Sequence, residues 1–230
     1  MTELYVVAGL LLAPVIICGL YARSRVNQLF DEYSRKPIKK GVTGGRLART
    51  MLDSAGLSGV IIEEGGAALS DHYDPRRKVI RLSPSVSRSA SIAGIGIAAH
   101  EAAHAIQDGT GYPPVKLRDR IAPLVERSGH LVLPLLLVGM LFSAIALSSL
   151  LVGLALLLFL VIVLFYLVTL PVELEASSRA LGYIRDHAIA DEKELEGVRK
   201  VLRAAAFTYV TAMALVLIQF FSLLGTYRRK

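Results

Sequence analysis

Ser91-Ile-Ala-Gly-Ile-Gly-Ile-Ala-Ala-His-Glu-Ala-Ala-His-Ala-Ile-Gln-Asp108 is the stretch on which the reading of the whole chain turns. It is apolar and rich in alanine, and it predicts a buried helix that stops at Asp108-Gly109, where glycine suits a helix end. His100, Glu101 and His104 stand inside it as HEAAH. Residues four apart share a helix face, so the two imidazoles can close on one zinc ion. Glu101 then stands beside the water it would deprotonate. A solvated amphipathic helix is the bland alternative, but Ile92, Ala93, Ile95, Ile97, Ala98, Ala99, Ala102, Ala103, Ala105 and Ile106 leave almost no polar face. Buried ionisable groups need compensation, and a metal ion supplies it.

The surroundings of this helix are membrane-like. Leu131 to Leu170 runs for 40 residues without a charged side chain, about twice the ~20 that a helix needs to cross a bilayer. Leu4–Leu20 and Ala204–Leu224 are further candidate spans, which makes about four, the last carrying Thr208, Tyr209, Thr211, Gln219 and Ser222. The net charge of +7 does not imply nucleic acid. Of 26 Lys and Arg, 17 lie between Tyr21 and Gly129, 6 between Pro171 and Ala204 and 3 at the end of the chain. That distribution follows the excess of basic residues on the inner side of a membrane, and no aromatic–basic interleaving suited to stacking bases accompanies it. The single cysteine, Cys18, has no partner for an internal disulfide.

Taken in order, the first apolar run is followed by Arg23 and Arg25, the reverse of a cleaved signal peptide, and reads as an uncleaved anchor with its N-terminus outside. Asn27–Lys40 is expected to be a juxtamembrane helix ending at Lys36-Pro37. Thr43 can cap a helix over about Gly45–Ser54. Strands are expected over Gly59–Glu63, Leu69–Tyr73 and Lys78–Leu82, with a turn at Asp74-Pro75-Arg76-Arg77 joining the last two. Val115–Gly129 alternates as an amphipathic helix. The 40-residue run is expected to fold as a hairpin turning near Ser148-Ser149 or Gly153. Asp191-Glu-Lys-Glu194 is a cap for a helix running into the last span.

Catalytic zinc has three protein ligands and one open position. The extended motif with a third histidine is absent, because Gln107 and Thr110 hold the places of its Gly and His. Glu126, His130, Glu173, Glu175, Asp186 and His187 are the candidates for the third ligand. Glu173 is the best placed, because it follows the hairpin and an even number of spans returns it to the membrane face of the HEAAH helix. Glu175 points elsewhere on a helix and is expected to be solvated or paired with Arg179.

Three segments, Asp71-His-Tyr-Asp-Pro-Arg-Arg-Lys-Val-Ile-Arg-Leu-Ser83, Ser91–Gln107 and Pro171-Val-Glu-Leu-Glu-Ala-Ser177, together resemble the YugP-type neutral zinc metallopeptidases of bacterial membranes. The layout is similar to the HtpX and CAAX-protease group, which has a glutamate ligand in Glu-x-x-Ala-Asp after a membrane hairpin. Matched there, Glu173 takes the ligand position and Ala176 the alanine, whereas Ser177 stands in place of the aspartate.

The resemblance implies a mainly α integral membrane protein with about four transmembrane helices. It also implies a small α+β zincin-like domain carrying a short β-hairpin sheet and the HEAAH helix. The expected organisation is an anchor (1–22), a metallopeptidase domain (23–129), a transmembrane hairpin (130–170), a segment carrying the third ligand (171–203) and a last helix with a basic tail (204–230). The expected activity is a zinc-dependent endopeptidase at the cytoplasmic face of the bacterial plasma membrane, acting on peptide or membrane-protein substrates. His100, His104 and Glu173 are its zinc ligands and Glu101 its general base. His72, Tyr73, Tyr183 and His187 are the candidate oxyanion donors, and the strand near Leu69–Tyr73 is a candidate edge for substrate pairing.

Three competing classes remain. A transporter is disfavoured because the hairpin holds no ionisable group. An inert zinc-binding scaffold would be favoured by a fourth protein ligand at the metal. A non-proteolytic zinc hydrolase would share the motif. With four spans the final Arg228-Arg229-Lys230 falls outside, against the charge rule, unless Ala204–Leu224 lies as an interfacial or re-entrant segment.

Overall fold

The computed structural model describes residues 2–141 and 147–227; nothing is described for the side chains of residues 2–12, 140 and 226. Seven helices and three strands follow one another as α1 (Thr2–Ser34), α2 (Gly44–Ser54), β1 (Ile61–Glu64), β2 (His72–Asp74), β3 (Val79–Leu82), α3 (Pro84–Ser87), α4 (Ile92–Gly109), α5 (Pro113–Leu141), α6 (Leu147–Asp186) and α7 (Glu192–Tyr227). They form two compact units: one of Met1–Tyr21, Lys116–Pro171 and Thr208–Lys230, the other of Ala22–Val115 and Val172–Phe207.

The first unit is apolar. Among the described residues, α5, α6 and α7 are long and apolar enough to cross a membrane. The run from Leu4 lies in α1, partly on side chains outside those described. Leu150, Leu157 and Leu164 recur every seven residues along α6, and each remains exposed. A leucine face of this kind suits lipid hydrocarbon, not water. The turn expected near Ser148-Ser149 or Gly153 is not there: all three residues lie inside α6. Small side chains pack helices instead. Ser148 Oγ donates to Gly139 O at 2.6 Å, and a methyl on Gly139 would sit 2.8 Å from Val152 Cγ2. Close approach at small residues is what holds apolar helices together where no hydrophobic effect acts between them. The connection itself, and Arg228-Arg229-Lys230, lie outside the described residues.

The second unit has a mixed core. Three strands form, although the one expected over Leu69–Tyr73 begins only at His72, because Leu69 takes a left-handed conformation (φ 61°) that ends extended pairing. They make a sheet of order β1-β3-β2, with β1 parallel to β3 and β2 antiparallel to it. Asp74 Oδ1 accepts from the backbone N–H groups of Arg76 and Arg77, which closes the β2–β3 turn as anticipated. Thr43 Oγ1 caps α2 through Arg46 N. At the head of α7, Asp191 Oδ1 accepts from Glu194 N and Glu194 Oε2 from Asp191 N, both at or under 2.9 Å, a reciprocal capping box. Two helix boundaries also differ from expectation. Neither Gly nor Pro interrupts the chain between Tyr21 and Ser34, so the anchor and the juxtamembrane helix are one helix, α1. The left-handed turn after α4 is made by Gly111 (φ 68°), and Gly109 stays helical.

The centre of this unit is α4, whose Ala93, Ile95, Ala98, Ala99, Ala102 and Ala103 are fully buried. Alanine and glycine let neighbouring backbones come close. A methyl on Gly44 of α2 would lie 2.4 Å from Val86 O and 2.8 Å from Gly94 O. Gly44→Ala therefore forces α2 off α3 and α4 and is expected to cost about 1–3 kcal/mol in thermal unfolding of the full chain in detergent. Gly59→Ala, where nothing lies within 4 Å of the added methyl, should change stability far less.

Candidate metal centre

Helix α4 starts at Ser91, whose Oγ accepts from Gly94 N at 3.1 Å. From that start the 3.6-residue repeat carries His100 and His104 onto one face. Helix α6 brings Glu173, buried to 6% exposure, against the same face. His100 Nε2 lies 3.1 Å from His104 Nε2, and Glu173 Oε2 lies 3.3 Å from the first and 3.6 Å from the second. Two ligands on tetrahedral zinc, each about 2.0–2.1 Å from the ion, stand about 3.3 Å apart. The three donor atoms therefore already span the edges of a zinc coordination polyhedron, and the His100, His104 and Glu173 group can hold a metal.

The electrostatics point the same way. Burial lowers the His104 pKa, yet the Glu173 hydrogen bond and the Glu101 and Glu173 charges outweigh it, so the net direction is upward. The pocket favours positive charge, which a divalent cation supplies. Burial raises the Glu101 pKa, opposed by His100 and His104 and reinforced by the charges of Glu173 and Asp71.

The outer contacts of the two imidazoles differ. His100 Nδ1 lies 3.3 Å from the Oγ of Ser177, the residue that stands in place of the aspartate of the Glu-x-x-Ala-Asp pattern. His104 Nδ1 lies 2.9 Å from Gln107 Oε1. Gln107 was legible in the sequence only as a departure from the extended motif. The usable signal was a polar side chain three residues after His104 at the end of an apolar helix, where it must find partners.

The remaining candidates go elsewhere. Glu175 binds Gln107 and Arg179. Asp186 pairs with Arg185 at 2.9 Å, and Glu126 and His130 belong to the other unit. Tyr183 stacks on His187 and meets Ser54 Oγ at 3.2 Å. It stands ten residues beyond Glu173 on α6, about 15 Å along the axis, so the structure does not bring Tyr183 or His187 to the cluster. Tyr73 donates to Asp108 Oδ2 at 2.7 Å, where Lys78 Nζ also binds, fixing the sheet to the end of α4. His72 is exposed, with Nδ1 against Ser70 O. Asp71 accepts from Ser83 N at 2.6 Å and from Ser83 Oγ, so that segment clamps the loop that leads to α4.

A family model described as "Putative neutral zinc metallopeptidase" matches residues 8–228. The chain belongs to that family. It is 41% identical over 206 residues to the "Putative membrane protease YugP" of Bacillus subtilis (strain 168), covering 90% of this chain and 88% of the relative. No solved structure matches it. A zinc peptidase family thus coincides with a three-donor group of the composition and spacing that zinc requires.

The Glu101 environment has a measurable consequence in metal-free protein. A carboxyl whose folded pKa is raised contributes stability below its unfolded value, and this is lost as pH rises through the folded pKa. Glu101→Gln cannot ionise. In chelator it is expected to unfold at a higher temperature than wild type at neutral pH, with the gap closing below about pH 4. A gap that is the same at all pH values would contradict the burial assigned to Glu101.

Proposed function

We propose that the chain is a zinc-dependent endopeptidase in which His100, His104 and Glu173 hold the metal and Glu101 is the general base. The three-donor cluster beside a buried glutamate is the observation that carries this reading. Among the described residues no fourth His, Cys, Asp or Glu joins the group, so one tetrahedral position is left for water and substrate, unlike a closed structural site. A zinc ion supplies Lewis acidity there, which makes water nucleophilic near neutral pH and polarises a carbonyl. Glu173 as third ligand brings a negative charge that a third neutral imidazole would not. Glu101 takes the proton from the attacking water and delivers it to the departing amine nitrogen, as its raised proton affinity suits.

Two features support a peptide substrate near a membrane. β2 lies at an edge of the sheet and packs near α4, where an extended peptide can add as a further strand. Exposed leucine faces on helices long enough to span a bilayer support a membrane-embedded enzyme acting on peptides or membrane proteins. The weight of basic residues between Tyr21 and Gly129 supports placing the site on the cytoplasmic side of the bacterial plasma membrane.

The test is zinc content and hydrolysis of an unfolded polypeptide by the full chain in detergent. Glu101→Gln should retain zinc and lose about 10²–10⁴-fold in kcat/KM. Glu173→Ala should lose tight zinc binding. Full activity in Glu101→Gln means that another group is the base, and wild-type zinc affinity in Glu173→Ala means that the third ligand is misassigned.

A further inference from the structure

Gln107 is fully buried and lies on the same side of α4 as His104. Its amide nitrogen donates to Val172 O at 2.9 Å and to Glu175 Oε2 at 2.6 Å. Both partners only accept: one is a backbone carbonyl, the other a carboxylate whose second oxygen is held by Arg179 Nε. The two N–H groups of the amide are thereby used, and the amide cannot flip without setting oxygen against oxygen. Its carbonyl oxygen is left facing His104 Nδ1 at 2.9 Å. An acceptor in that place requires the imidazole proton on Nδ1. In a neutral ring the lone pair then lies on Nε2, the atom that faces His100 Nε2 and Glu173 Oε2. His100 has no such selection, because the Ser177 hydroxyl at its Nδ1 both donates and accepts.

The same amide acts on the third ligand. Val172 is the residue before Glu173, so its carbonyl ties α6 to α4 at the level of the metal donors. We propose that Gln107 is a positioning residue that presets His104 in its metal-binding tautomer and holds Glu173 in register with the two imidazoles, with Glu175 and Arg179 as its outer anchor. This rests on the reading of His100, His104 and Glu173 as ligands, and adds that the site is arranged before the ion arrives. A metal-binding histidine fixed through its other nitrogen loses about 10–100-fold in metal affinity when that partner is removed.

Two measurements on the full chain in detergent test it. Nitrogen NMR of metal-free protein labelled at its five histidines, recorded at a pH high enough for the His104 ring to be neutral, should show it as the Nδ1–H tautomer in wild type. An Nε2–H form, or an even mixture, would overturn the proposal, and this readout needs no variant to fold. Competition with a zinc chelator should then show Gln107→Leu binding zinc 10–100-fold more weakly than wild type. Equal affinity would overturn the positioning role while leaving the ligand assignment intact. A wild type that binds no zinc would overturn both.

Discussion

Two imidazoles and two carboxyl groups are gathered on and against an alanine-rich buried helix, and the rest of the structure follows from what that arrangement demands. An unpaired buried charge is too costly to persist, and groups so placed must neutralise one another or share a cation. His104, with its pKa raised despite burial, indicates a pocket that favours positive charge. The Nε2 and Oε2 atoms stand at the separations of ligands around a single ion. Zinc meets both the charge and the geometry.

Holding such donors in place takes rigid elements, because a ligand set that drifts by an ångström loses its ion. Glu173 and His100 are 73 residues apart in sequence, yet each is on a long helix. Glu173 sits on α6, which runs unbroken from its apolar half to Asp186. Helix α4 is seated by side chains too small to keep its neighbours away, and its C-terminal end is fixed by Tyr73 and Lys78 on Asp108. The capping box of α7 is tied to the loop after α1, with Lys39 N donating to Glu194 Oε1 at 2.8 Å. Fully buried Gln107 bridges the two helices that carry the donor group.

Much of this was legible in the residues because the physics is local. HEAAH sets its own geometry through helical periodicity, Thr43 and Asp191 announce helix starts, and Asp74 announces a turn. Glu173 could be chosen because it follows directly on the apolar segment. The less legible parts are those where distant segments meet. The parallel pairing of β1 with β3 is not encoded in either strand alone. Ser148 and Gly153 carry turn-forming residue types but serve helix packing, since an apolar environment rewards close approach. Tyr183 and His187 had suitable chemistry, and only their position, toward and just past the end of α6, sets them away from the cluster. The partners of Gln107 on α6 lie 65 and 68 residues away, beyond any periodicity argument.

X-ray absorption at the zinc edge of the metal-loaded chain tests the central claim most directly. It should show four light ligands, two of them imidazoles, with nitrogen and oxygen at about 2.0–2.2 Å, and Glu173→Ala carried through the same loading should retain little zinc. Three or more imidazoles around the ion, or zinc retained by that variant as fully as by wild type, would contradict the account.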